Sequence, residues 1–479
     1  MKFFSRLVYQ SDAGSRAAAV LLSIALFPAV ATEAQTSSSR EILIRNATVL
    51  TISNGTIENG SVLIRGTKIA AVGPVDQVRA GSGAQVIDAT GRFIMPGIID
   101  THSHAGVEGS VNEVSLPNTG MVRIQDVLTS EDISAYRQLA GGTTAANILH
   151  GSANAIGGQN AIVKWKWGKP ISEWPISDAP PGIKFALGEN PKSSNFAPPA
   201  GTPRQYPATR MGVAEVIRDS FSKARDYMAE WDAYNANRNK ANVIPPKRDL
   251  LMEEMAGILR GEVQVHAHCY RSDEIVMLIE LADEFGFKIA TFQHVLEGYK
   301  VAKEIAAHGG LGAGTFIDWW GFKAESYDGI PYNVALMTSN GVLVSVNSDS
   351  DELARHLNLD AAKAMKYGGL SEEEALKTAT LNAAKQLGID HRVGSIEPGK
   401  DADLVIWSGH PFSTYSRVET TMIEGEILFD RTRDLQLREE RKKEKQALLQ
   451  KEREAEEREK ARAKTPGRTA PAAPAMEER

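Results

Sequence analysis

The feature that most constrains this chain is an alternation. Short apolar runs, "GGTTAANIL" (141–149), "GIKFAL" (182–187), "EVQVHAH" (262–268), "FKIATFQH" (287–294), "GGLGAGTFI" (309–317) and "GVLVSVNSD" (341–349), are separated by stretches with helical spacing. Strands that alternate with helices pair in parallel and are covered on both faces, so their sequences are apolar throughout. Helices are expected at "SDEIVMLIELADEFG", "EGYKVAKEIAAHG" and "SEEEALKTATLNAAKQLG", the last opened by a Ser371 cap with Glu373 and Glu374 in its first turn. With the opening run around "PGIID" the strands come close to eight. The expected fold is therefore α/β, a (β/α)8 TIM-like barrel over 96–395.

The flanks have another texture. "EILIRNATVLTISNGTIENGSVLIRGTKIAAVGP" (41–74) alternates apolar and polar residues between Asn-Gly and Arg-Gly turn signals, and "GKDADLVIWSG" with "VETTMIEGEILFD" repeats that texture at 399–430. Both flanks, 40–95 and 396–432, are expected to pair into one small composite β-sandwich. At the start, Lys2, Arg6 and Arg16 precede "AAAVLLSIALFPAVA" and small residues up to Ala34. This fits a cleaved signal peptide over 1–34, with a periplasmic or secreted product. The apolar run is shorter than the roughly 20 residues a membrane span needs. Cys269 is the single cysteine, so no internal disulfide forms, and a buried thiol is expected. A formal net charge of −6 gives no case for nucleic acid as a partner. The tail, 433–479, is charge-dense and then Ala/Pro-rich. It reads as a solvated helix running into a largely disordered end, dispensable after Arg433. Leu435, Leu437, Leu448 and Leu449 do not keep the heptad spacing of a coiled coil.

Chemistry enters at the strand ends. In "PGIIDTHSHAG" (96–106) an apolar run stops at His102 and His104, two residues apart and so on one side of a strand. The run at 262–268 ends in His266 and His268, the next in Gln293-His294, and the last carries Asp349 and Asp351. Five of the ten histidines thus fall where a barrel keeps its active site. Imidazole and carboxylate suit zinc or a similar divalent ion, one or two per site. The long Pro-rich stretch 188–212 reads as a binding loop, in which Arg204, Tyr206 and Arg210, together with Arg271 after the fifth strand, are candidates for holding a substrate carboxylate. Trp319 and Trp320, after the seventh strand, are candidates for lining the mouth.

"FIMPGIIDTHSHAG", "QVHAHCYRSDEI", "FQHVLEG", "VSVNSDSD" and "TLNAAKQLGIDHRVGSIEPGKDADLVIW" together resemble the metal-dependent amidohydrolase superfamily, in its imidazolonepropionase-like and prolidase-like branch. The likeness covers roughly residues 41–430. It implies a distorted barrel with a small sandwich from both flanks. It also implies ligand roles for His102, His104, His266, His294 and Asp349. For the fourth strand it leaves two candidates, Lys184 carboxylated on its amine and Glu189 near the strand end. The implied chemistry is hydrolysis of an amide, peptide or cyclic-amide C–N bond of a small molecule or short peptide. A divalent ion supplies hydroxide by lowering the pKa of water from about 15.7 to near 7. Asp349 then serves as general acid and base, while His268 or His294 helps polarise the carbonyl. Here His266 is taken as the ligand and His268 as a substrate or oxyanion contact, with Asp351 either supporting a ligand from behind or capping a helix. A deaminase is the nearest alternative. A scaffold that has lost catalysis is the more distant one, and it predicts missing ligands. The sequence leaves room for a homo-oligomer.

Overall fold

The computed structural model describes residues 40–192, 201, 206–319 and 321–464. The expected leader, Arg204, Trp320 and the last residues of the tail lie outside the described residues.

The N-terminal flank folds into β1 (Glu41–Leu50), β2 (Thr56–Arg65), β3 (Lys68–Pro74), β4 (Gln85–Asp88) and β5 (Phe93–Pro96). The centre supplies β6 (Ile98–Ser103), β7 (Thr143–Ile148), β8 (Ile156–Gln159), β9 (Ala161–Lys164), β10 (Gly182–Ala186), β11 (Gln264–His268), β12 (Ile289–Gln293), β13 (Gly312–Thr315) and β14 (Val344–Val346). The C-terminal flank adds β15 (Leu404–Trp407), β16 (Val418–Ile423) and β17 (Glu426–Asp430). Both flanks share one eight-stranded sheet, because β15 runs antiparallel to β5 with Leu404 opposite Pro96 and Trp407 opposite Phe93. One face of that sheet buries Ile42, Ile44, Val62, Ile94, Leu404 and Ile406, every second residue of their strands, as period-two patterning requires.

The centre is a TIM-barrel-like α/β arrangement in two sheets. β10 to β14 pair in parallel, and β6 pairs in parallel with β7. The simple expectation of eight parallel strands in one ladder is not met, for a local reason. Residues 156–164 form one extended segment whose first half, β8, is antiparallel to β10 and whose second half, β9, is antiparallel to β7. Asn160 stands at the changeover, where its N–H donates to the Gly182 carbonyl and its Nδ2 to Asn147 Oδ1. On the other side, β14 and β6 meet through side chains and loop backbone. The Thr101 and Ser345 hydroxyls lie 3.2 Å apart, and Asp349 N–H donates to the His102 carbonyl at 3.0 Å.

The helices are α1 (Ile133–Ala140), α2 (Arg210–Asn237), α3 (Leu250–Leu259), α4 (Ser272–Phe285), α5 (Ala302–His308), α6 (Asn333–Ser339), α7 (Leu357–Gly368), α8 (Glu372–Thr378), α9 (Leu381–Gln386) and α10 (Arg431–Lys464). The Ser371 cap is a full capping box with Glu374. The helix expected over 371–388 is interrupted, however, because the Ala379 carbonyl leaves the helical pattern to accept Ile99 N–H of β6 at 3.0 Å. The tail is helical as far as Lys464, and its first turn is anchored. Asp434 is buried and accepts the Tyr136 hydroxyl at 2.9 Å, which corrects the view that everything after Arg433 is free of the core. Among the described residues no helix is long and apolar enough to cross a membrane.

Candidate active site

The C-terminal ends of β6, β10, β11, β12 and β14 converge on one buried volume. His102 Nε2 lies 3.0 Å from Lys184 Nζ, 3.2 Å from His294 Nε2 and 3.7 Å from Asp349 Oδ1. His104 Nε2 is 3.1 Å from Asp349 Oδ1, and His294 Nε2 is 3.6 Å from Asp349 Oδ2. Ligand atoms of His102, His104 and Asp349 all lie within 4.8 Å of one another, a separation one ion can span.

Hydrogen bonds set which ring nitrogen faces inward. His104 Nδ1–H donates to the Leu149 carbonyl at 2.9 Å, which leaves the Nε2 lone pair toward Asp349. His294 is held the same way, with Nδ1–H donating to Asn347 Oδ1 at 3.2 Å, while Asn347 Nδ2 donates to Gln293 Oε1. Burial and the adjacent His294 hold His102 well below the usual imidazole range, and burial brings His294 down to about 3. These rings are neutral, as ligands must be. Burial raises the Asp349 carboxyl, while His294 and His104 draw it below its ordinary value when their rings are protonated. Burial also brings the Lys184 amine down to about 7.

The backbone is strained here. His294 and Asp349 have φ of 61° and 46°, a left-handed region that non-glycine residues seldom enter. Such strain costs on the order of 1–3 kcal/mol per residue and persists only where the surroundings enforce it. Part of that enforcement is Asp100, fully buried, whose carboxylate accepts His102 N–H at 3.2 Å and both Ser348 N–H and Oγ–H, tying β6 to the loop carrying Asp349.

Several expected residues stand elsewhere. His266 pairs in register with Lys184, two residues before the strand end. Its Nδ1 lies 2.7 Å from Thr291 Oγ1, and its Nε2 points toward Gly182. His268, opposite Ala186, is the residue beside His294, with ring centroids 5.1 Å apart; among the described residues both its nitrogens, and His266 Nε2, are buried without a partner. Glu189 lies in the loop after β10, where its N–H donates to Glu325, and Lys184 is the one of the two that reaches His102. Arg210 and Arg271 both pair with Asp273 in half-exposed positions, and Tyr206 is exposed with its hydroxyl on the Gly212 carbonyl. None of these three contacts the donor cluster. Asp351 is exposed as well. Trp319 does belong to the site's surroundings: it stacks on Phe316 at 4.6 Å, and Phe316 stacks on His294 at 4.5 Å. Sequence reasoning passed over Asp100, Asn347, Tyr270 and Lys323. Asn347 was within reach, since it lies two residues before Asp349 at the end of the same strand.

The model of the amidohydrolase family matches residues 93–428. The chain belongs to the amidohydrolase family, metal-dependent hydrolases acting on C–N bonds. This amidohydrolase is similar to a crystal structure of an amidohydrolase from Thermotoga maritima, with a TM-score of 0.74 and 36% identity, covering 81% of this chain and 100% of that one. It is 32% identical over 401 residues to amidohydrolase tasK of Hapsidospora irregularis, which covers 78% of this chain but 40% of the relative's length. It is 23% identical over 403 residues to imidazolonepropionase of Thermoplasma volcanium, covering 80% of this chain and 93% of that one.

Proposed function

We propose that this amidohydrolase is an exported enzyme that hydrolyses an amide, peptide or cyclic-amide C–N bond of a small molecule or short peptide, with Asp349 as general acid and base. The observation that carries the reading is the Asp349 carboxylate, ionised and set against the inward nitrogens of His104 and His294.

The donor set fits one or two divalent ions, zinc or similar. Imidazoles with inward-facing nitrogens, a carboxylate and the orphaned nitrogens of His268 are what such an ion takes up. His102, His104, His294 and Asp349 would hold it, with His268 in place of His266 as the fifth-strand ligand. Lys184 is the fourth-strand candidate, because an amine near pKa 7 is partly the free base that carboxylation needs. When bound, the ion supplies hydroxide at neutral pH and polarises a carbonyl oxygen. Asp349 then takes the proton of the attacking water on one carboxylate oxygen and delivers it to the leaving nitrogen, a transfer typically worth 10² to 10⁴-fold. Tyr270 keeps its proton, since burial pushes the phenol well above its ordinary value, and its unpartnered hydroxyl is a donor for substrate. Lys323, 5.1 Å over the Tyr270 ring, supplies positive charge at the same mouth.

The two parallel-stranded sheets are read as arcs of one distorted (β/α)8 barrel, bridged by 156–164 and by the Asp100–Ser348 tie, with the composite sheet curling into a β-sandwich. Export rests on the basic and apolar start of the chain, with the mature protein beginning between about residues 32 and 36. N-terminal sequencing of the exported form tests this, and a retained Met1 contradicts it. For the activity, the purified full chain is expected to hold at least one divalent ion and to cleave N-acyl amino acids or dipeptides, with cleavage lost on chelation. Full activity in metal-free protein would overturn the reading.

A further inference from the structure

A second charged site lies at the other end of β7. Ala140 and Gly141, just before that strand, line a cavity of about 300 Å³, whereas Leu149, just after it, holds His104. Five arginines line the cavity: Arg137, Arg355, Arg417, Arg431 and Arg438. No carboxylate does so among the described residues.

The arginines are unevenly compensated. Arg355 pairs with Glu352, and Arg438 pairs with Asp434 at 2.7 Å. Arg431 has a neutral partner, donating from Nε to the Val418 carbonyl at 2.6 Å. Arg137 and Arg417 have no ion pair and no side-chain hydrogen bond among the described residues. The guanidinium groups of Arg137, Arg417 and Arg431 therefore line one volume with no ion pair among the described residues, on a chain whose formal net charge is −6. Held together they repel, and a bound anion relieves that repulsion.

The rest of the lining suits such an anion. Ser413, Thr414 and Ser416 bring hydroxyl donors on one turn, and Trp407 and Phe429 give an apolar wall.

We propose that this cavity binds a small molecule bearing a multiply charged oxyanion, phosphate or polycarboxylate, with an apolar part against Trp407 and Phe429. Guanidinium forks match the paired oxygens of either group. Arg137 and Arg417 are the residues to test, since their side chains are exposed and form no ion pair or hydrogen bond among the described residues, whereas Arg355 shares a loop with Asp349.

The experiment is calorimetric titration of the full chain with inorganic phosphate and, separately, with succinate. A dissociation constant below about 1 mM for at least one of them is expected, weakening as salt is added. The double variant Arg137→Gln/Arg417→Gln is expected to weaken that binding by about tenfold or more, with melting temperature and metal content unchanged. Preference for phosphate assigns a phosphorylated ligand, and preference for succinate a polycarboxylate. Binding of neither below about 10 mM, or binding undiminished in the double variant, would overturn the proposal.

Discussion

Two histidines on β11 separate ligand from scaffold at the scale of single residues. Replacing His268 with Ala removes a ring whose nitrogens have no other partner, so metal content is expected to fall. Replacing His266 with Ala breaks a buried contact with Thr291 and is expected to cost on the order of 1–3 kcal/mol of stability while metal stays bound. Metal analysis and thermal melting of the two variants check this, and the reverse result would return the ligand role to His266. The sequence puts His102, His294 and Asp349 at or just past strand ends, and the fold brings them within hydrogen-bonding range of one another or close to it. The sequence cannot choose between His266 and His268, because residues two apart share a face. Only the packing separates them, His266 against Thr291 Oγ1 and His268 beside the His294 ring. Nor could it see that Arg210, 63 positions before Asp273, is already engaged with that carboxylate.

At the scale of elements, the apolar runs were legible as strands because burial on both faces keeps most of their positions apolar. The segment 156–164 was not, since its two short halves, "IGGQ" and "AIVK", each pair with a different sheet and neither shows a strand-length pattern. The break between α8 and α9 was equally hidden, as it arises from a tertiary bond to Ile99. One helix carries a pH-dependent prediction. Glu254, on α3, is partly buried with no ion pair or hydrogen bond among the described residues, and burial pushes its carboxyl up to about 7. Its folded-state pKa exceeds the unfolded value of about 4.5, so the folded state holds more protons between the two, and stability falls as pH rises through that window. Glu254→Gln removes the ionised form and is expected to stabilise the protein by about 1–2 kcal/mol at pH 8, after allowance for solvent screening, with little effect at pH 4. Denaturant titrations at the two pH values measure it, and an equal effect at both would contradict it.

At the scale of the whole molecule, the two flanks were legible as partners from texture alone, although some 300 residues separate β5 from β15. The tail was read too simply, because a charge-dense helix can still seat its first turn. Truncation after Arg433 deletes Asp434, strands the Tyr136 hydroxyl, and is expected to lower stability by about 1–2 kcal/mol. Truncation after Lys443 keeps that bond and is expected to leave the melting temperature unchanged, and equal melting of the two truncations would show that Asp434 does not hold the helix. The claim that unites the molecule is that strands spread from β6 to β14 meet in one hydrolytic centre, where Asp349 moves the proton. Its most direct test is Asp349→Asn, assayed for metal and for turnover of the best C–N substrate found. The account predicts at least one retained ion and turnover reduced by roughly 10² to 10⁴-fold. Near-normal turnover in that variant would contradict it.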